Sequence, residues 1–251
     1  MGAAVAEYSK DFFEWQRDGS LASARVLVPI ILDYVPARSV CDVGCGVGTW
    51  LRAFQEAQVE EIQGFDGDYV DRAMLQIPPG SFTPSDLSRP PVATRTYDLA
   101  ISLEVAEHLP EASARLFVAH LTSLAPVVVF SGAIPGQGGH GHVNEQWQSY
   151  WVELFREQGY VAVDCLRARV WDEAGVEFWY KQNMLIYVRE AKLSDYPKLA
   201  GAASRGVPLV FDVVHPGQHT KDLVERPNEY FLETVFKLPT LFRKAVARRL
   251  A

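Results

Sequence analysis

Short apolar and β-branched runs alternate with amphipathic stretches along most of this chain, the spacing of a fold that alternates strands with helices. Strands are read over 39–43, 61–66, 81–83, 98–103, 127–131, 161–168 and 180–188, and helices over 49–57, 69–76, 111–122 and 145–158. Val127 to Phe130 is apolar throughout, as in a parallel strand covered on both faces. Ahead of this core, residues 1–35 read as helices. They comprise an aromatic segment with Tyr8, Phe12, Phe13 and Trp15, a break at Gly19-Ser20, and a helix from Leu21 to Tyr34 that Ser20 can cap. Past residue 190 the pattern changes. Ala191 to Gly206 is a small-residue connector, and 209–216 is a strand or an extended segment. After Pro227 a helical stripe of Phe231, Val235, Leu238, Phe242 and Val246 returns, split at Pro239. The expected organisation is an N-terminal helical segment 1–35, an α/β core 36–190 and a partly helical extension 191–251.

Val40-Cys41-Asp42-Val43-Gly44-Cys45-Gly46-Val47-Gly48-Thr49-Trp50 joins a strand to a helix through three alternating glycines. Glycine reaches backbone angles closed to other residues and leaves amides bare for a ligand. The spacing G-x-G-x-G differs from the dinucleotide fingerprint, whose third glycine falls one place later. Asp66 closes the next strand a little over 20 residues past Asp42, near the distance at which nucleotide folds bond ribose hydroxyls. Ser85-Asp86-Leu87 follows the third run, and Tyr97 to Leu103 leads into Glu104-Val105-Ala106-Glu107-His108-Leu109-Pro110.

In that order these motifs resemble the class I S-adenosylmethionine (SAM)-dependent methyltransferases over roughly residues 36–190. The resemblance implies a Rossmann-like seven-stranded mixed sheet, with the last two strands as an antiparallel edge pair and the N-terminal helices as a lid. It also implies roles. Gly44, Gly46 and Gly48 would pass under the amino-acid end of SAM, with Asp42 near its amino group. Asp66 would take the ribose hydroxyls, Asp86 the adenine amino group, Leu87 a ring nitrogen through its amide, and Leu103 would flank the cofactor.

Glu104, Glu107 and His108 stand at i, i+3 and i+4 directly after the fourth strand. In a helical turn all three would project from one side. The glycine-rich segment 131–147 after the fifth strand adds His140 and His142. Glu-x-x-Glu-His with a later histidine resembles a metal-dependent subset of the same superfamily. That resemblance implies Glu104, Glu107, His108 and His142 as ligands of Mg²⁺ or another divalent ion, with His140 in reserve. Glu107, His108 and His142 would then form the catalytic group. Two other readings stay open: His108 as a metal-free base, and structural roles such as Glu104 capping the next helix. Asn144, Trp147 and Tyr150 are candidates for either acceptor contact or packing.

Composition narrows the partners. The 251 residues carry a formal net charge of −7, and the only basic cluster is C-terminal, at Lys237, Arg243, Lys244, Arg248 and Arg249. That balance disfavours a nucleic-acid substrate. No apolar run reaches the roughly 18 residues of a membrane span, and the N-terminus lacks the pattern of a secretory signal. Cys41, Cys45 and Cys165 fit reduced thiols in a cytoplasmic protein. The expectation is a SAM-dependent O-methyltransferase acting on a hydroxyl of a small polar acceptor such as a sugar, glycoside or polyol. The His142–Trp147 segment resembles those of polysaccharide and secondary-metabolite pathways. Alternatives are a metal-dependent RNA-terminal 2′-O-methyltransferase, a small-molecule N-methyltransferase, and a SAM-binding regulatory subunit.

Overall fold

A computed structural model describes residues 10–203, 210–218 and 221, with side chains from Gly19 onward. Seven strands form one sheet in the order β3-β2-β1-β4-β5-β7-β6. They are β1 (Ser39–Val43), β2 (Glu61–Asp66), β3 (Phe82–Pro84), β4 (Leu99–Leu103), β5 (Val127–Ser131), β6 (Tyr160–Val163) and β7 (Leu185–Arg189). The first five pair in parallel, and β7 runs antiparallel between β5 and β6. The seven-stranded mixed sheet and its antiparallel edge pair are as expected.

Strand alternation divides the core into two layers. Val127 and Val129 join Leu99, Ile101 and Val40 on one face, under α1 (Lys10–Tyr34) and α2 (Thr49–Glu56). Val128 and Phe130 join Ala100, Cys41 and Tyr187 on the other, under α3 (Ala114–Leu124) and α4 (Gln148–Glu157). All five residues of β4 and of β5 are buried, which is why Val127 to Phe130 reads as an apolar run. The two buried serines are paired, Ser102 Oγ donating to the Val43 carbonyl at 2.7 Å and Ser131 Oγ accepting from Glu104 N at 3.2 Å. Short helices α5 (Arg167–Val170), α6 (Phe178–Asn183) and α7 (Pro197–Ala203) complete the described elements.

Several elements differ from the sequence reading. From Lys10 to Tyr34 the chain is one continuous helix through Gly19 and Ser20. Ser20 caps nothing: its hydroxyl meets the Tyr180 hydroxyl at 3.0 Å, while Ser23 Oγ bonds the carbonyl of Gly19. A Cβ at residue 19 would come within 2.5 Å of Glu177 Oε1, so the glycine permits a close approach there. Ala24, Leu27, Val28 and Ile31 are fully buried in the core, and the aromatic side chains at 8, 12, 13 and 15 lie outside the described residues.

The helix read over 69–76 is a single 3₁₀ turn, Arg72–Met74, where the Asp71 side chain caps the amide of Ala73 at 2.9 Å. The strand read over 161–168 ends at Val163, and α6 takes the first half of the strand read over 180–188. The segment 210–213 is extended but joins no ladder, because side chains take its backbone groups. Arg167 donates to the carbonyls of Val210 and Phe211, and Gln148 donates to that of Val213. Two compact units are distinguished, Met1–Val213 and Val214–Ala251. In the second, residues 216–218 form a helical turn. The helix read after Pro227 and the basic cluster from Lys237 lie outside the described residues. Among those described, no helix is long and apolar enough to cross a membrane.

Candidate active site

The glycine turn folds back on the end of β2. Gly44 N and Cys45 N donate to the Phe65 carbonyl, and Gly44, Gly46 and Gly48 have φ of 92°, 53° and 84°. A Cβ at Gly44 would lie 2.3 Å from Val105 Cγ2, so packing forbids a side chain there. At Gly46 the reason is different, because a Cβ would project into open space. That space is a cavity of about 550 Å³ whose wall includes Gly44, Gly46, Asp66, Asp86, Leu87, Leu103, Glu104 and His108. It lies at the carboxyl ends of β1, β2 and β4, where open α/β sheets hold their ligands. From α1, Ser20 reaches the wall, with Trp50 and Tyr180 beside it; Trp50 Nε1 donates to Tyr180 Oη at 3.3 Å. One residue of the N-terminal helix thus lines the cavity.

Asp66 organises the rim. Its Oδ2 accepts from Gly46 N at 2.7 Å, and its Oδ1 accepts from Gly67 N at 2.7 Å and from the Tyr69 hydroxyl at 2.5 Å. Burial raises its pKa, only partly offset by these bonds. Asp42 is placed differently. It is buried within β1 and absent from the cavity wall. Desolvation, then the charge of Asp66, pushes its carboxyl well above the usual range. Asp86 also lines the cavity but is exposed, and its Oδ1 accepts from Ser88 N and Oγ at 2.9 and 2.6 Å in an Asx turn. The side-chain hydroxyl and two backbone amides that follow hold its pKa down.

After β4 the chain makes a 3₁₀ turn, Ala106–His108, in place of a helical turn starting at residue 104. Glu104 precedes that turn with φ +56°, and this backbone twist sends its side chain away from its sequence neighbours. Gln137 Nε2 donates to Glu104 Oε2 at 2.7 Å and Asn183 Nδ2 to Oε1 at 3.1 Å. Glu107, His108 and His142 converge instead. Each offers a ligand atom within 4.8 Å of the others, a group that includes neither Glu104 nor His140. The expected common face of Glu104, Glu107 and His108 does not form, because those residues do not share one helix.

The loop carrying His142 is held by backbone bonds: Val143 N and Asn144 N donate to the Glu107 carbonyl at 2.8 and 3.1 Å. His108 and His142 then meet edge to face with ring centroids 4.9 Å apart. Glu107 is 1% exposed. Neither of its carboxyl oxygens makes a well-formed hydrogen bond, although the backbone amides of Glu107 and Ala133 face the carboxyl and favour its charged form. The buried Nδ1 of His108 makes none either, while the ring is near the Gly141 backbone. Desolvation, with the nearby charge of Glu104, pushes the Glu107 carboxyl well above the usual range. Burial, with the neighbouring His142, pushes His108 down to about 4. His108 is therefore neutral at pH 7, with lone-pair nitrogen to offer.

Four contributors were missed in the sequence. Glu145 Oε1 lies 2.9 Å from His142 Nδ1, within hydrogen-bond distance, and its i, i+3 spacing from His142 was a readable signal. Tyr69, three places past Asp66, was readable in the same way. Gln137 and Asn183 reach Glu104 across |i−j| of 33 and 79 and leave no local trace. Trp147 is 40% exposed and so is not a core residue. Asn144 is buried, with Nδ2 donating to the Ala106 carbonyl at 3.4 Å.

A family model described as a methyltransferase domain matches residues 6–177. Among solved structures, magnesium protoporphyrin IX methyltransferase from Synechocystis PCC 6803 with bound SAH aligns with a TM-score of 0.52 at 20% identity, over 72% of this chain and 95% of that one. DesVI of Streptomyces venezuelae gives 0.50 at 16% identity, over 75% and 99%. An O-methyltransferase family protein from Burkholderia thailandensis gives 0.51 at 13%, over 72% and 60%. At these identities the likeness shows the fold alone. A comparison with curated protein sequences finds no match.

Proposed function

Because the chain belongs to the methyltransferase-domain family, we propose that it transfers a methyl group from SAM to a hydroxyl of a small polar acceptor, with Glu107, His108 and His142 holding a divalent cation. The class I fold uses SAM as methyl donor, and the cavity suits it. The space beside Gly46 is one that any side chain would fill, and it is bounded by Asp66 on one side and Leu103 on the other.

One observation carries the metal half of the reading. Three buried polar atoms, both Glu107 oxygens and His108 Nδ1, lack a well-formed hydrogen bond in the group that also contains His142, with only backbone amides facing the carboxyl. Leaving a buried polar group unsatisfied costs roughly 1–3 kcal/mol, more when it is charged. A dication would satisfy all three. Carboxylate with neutral imidazole suits Mg²⁺, Mn²⁺ or Zn²⁺. When bound, such an ion supplies a Lewis acid that lowers the pKa of a coordinated hydroxyl.

The chain's own residues do the rest. Asp66 fixes the Gly46 amide at the turn, Leu103 and Val105 give the cavity an apolar wall, and His108 lines that wall beside them. Donor cavity and candidate cation group thus share His108, which supports in-line transfer to an acceptor held at that edge. An imidazole titrating near 4 is a weak base at pH 7, so the ligand role suits His108 better than metal-free base catalysis.

The test is release of SAH from SAM with pooled sugars and glycosides, catechols, amines and short RNAs, each with Mg²⁺ or Mn²⁺ and again with EDTA. Turnover of a hydroxyl acceptor that EDTA abolishes supports the proposal. Turnover that survives EDTA, or that is confined to amines or RNA, overturns it. SAM binding without turnover on any pool would favour a regulatory subunit.

A further inference from the structure

We infer that Glu145 is a positioning residue that holds His142 in the tautomer with its proton on Nδ1, leaving Nε2 as the lone-pair nitrogen beside Glu107 and His108. The consequence for metal affinity rests on the cation reading above; the tautomer does not.

Glu145 is itself held from two sides. Its Oε2 accepts from Gly136 N at 2.7 Å, and its Oε1 accepts from Gly138 N at 2.8 Å as well as contacting His142 Nδ1 at 2.9 Å. An ionised carboxylate only accepts, so the bonded Nδ1 must be the ring nitrogen that carries hydrogen. Two backbone amides donating to its two oxygens mark Glu145 as an acceptor on both sides. Both side chains are largely shielded, at 13% and 19% exposure, so solvent offers the ring few competing partners.

The other ring nitrogen is placed by the loop. A Cβ at residue 139 would lie 2.2 Å from His142 Nε2, so the ring occupies room that only glycine leaves there. Gly136 and Gly138 supply amides to the carboxylate, and Gly139 supplies space for the ring. The glycine-rich run between β5 and α4 is thus a cradle for one oriented imidazole. A carboxylate bonded to the far nitrogen of a histidine is the arrangement that fixes orientation and raises basicity in metal ligands, and its loss weakens metal affinity about 10- to 100-fold.

The experiment uses the full chain labelled with ¹⁵N-histidine, as wild type, Glu145→Gln and Glu145→Ala. Long-range ¹H–¹⁵N correlation reads the His142 tautomer, assigned by its loss in His142→Asn. Calorimetry reads Mn²⁺ affinity, and SAH affinity checks that each variant is folded. Wild type is expected to show His142 protonated on Nδ1. Both variants should lose that preference and bind Mn²⁺ about 10- to 100-fold more weakly, with SAH affinity unchanged. A purely structural role would shift melting temperature without moving the tautomer. An unchanged tautomer in both variants overturns the inference. If wild type binds no Mn²⁺, the cation reading fails, and the tautomer still decides the role of Glu145.

Discussion

The ring of His108 stands edge-on to the ring of His142, centroids 4.9 Å apart and planes at 88°. One belongs to the turn after β4 and the other to the loop after β5, and the Glu107 carbonyl ties the two segments through the amides of Val143 and Asn144. A pair held this way responds to changes in either segment, which makes the grouping of ligands testable one residue at a time.

Glu104 stands apart from that pair in the amide cluster of Gln137 and Asn183. Glu104→Gln should therefore leave Mn²⁺ affinity within about threefold of wild type, whereas His142→Asn should lower it at least tenfold. Calorimetric titration of both variants checks this. A loss in Glu104→Gln as large as that in His142→Asn would put Glu104 among the ligands.

Glu107 carries a stability cost that depends on pH. Its folded pKa is raised well above the unfolded value, with burial the largest cause. The folded state thus holds a proton that the unfolded state releases, and stability falls as pH rises from about 4.3. Glu107→Gln removes the charge but keeps the shape. In EDTA it should melt above wild type at pH 8, with the gap narrowing toward pH 4–5. At roughly 2–4 °C per kcal/mol for a chain of this size, the difference is within reach of calorimetry. A gap that stays constant across pH would contradict the assignment.

Asp66 joins the glycine turn to the rim of the cavity. Asp66→Asn removes the charged acceptor from Gly46 N, Gly67 N and Tyr69 Oη. Hydrogen bonds to charged groups are worth about 1.5–3 kcal/mol each. A loss of SAH affinity of at least about tenfold is expected by isothermal calorimetry. Affinity within twofold of wild type would remove Asp66 from the binding set.

Tyr69 donates to Oδ1 of Asp66, the carboxylate that the motif resemblance assigns to the ribose hydroxyls. The hydroxyl bond at 2.5 Å must be given up or shared on binding. Tyr69→Phe removes the competitor and should tighten SAH binding by up to about tenfold, chiefly through faster association. Stopped-flow binding would detect this. Weaker binding in the variant would mean that the hydroxyl contributes to the occupied site.

Much of the sheet was legible because strand burial and turn chemistry are local. Four of the five buried residues in β5, Val127 to Phe130, form an apolar run, and three glycines at positive φ require their G-x-G-x-G spacing. The cavity follows from the same segment, since a strand, a bare turn and a helix start place amides at one sheet edge wherever they occur. Helix continuity through Gly19 was not legible, because contacts to Glu177 and Tyr180, more than 150 residues away, overrule a local break signal. Nor was the composition of the acid–histidine group. Spacing in Glu104-x-x-Glu107-His108 specifies a common face only for a helix, and the +56° φ at Glu104 sends that side chain to partners on other elements. Local sterics decide where backbone turns. Which side chains then meet depends on loops docking from distant parts of the chain, and that docking put Glu145 behind His142 and left Glu107 without a side-chain partner.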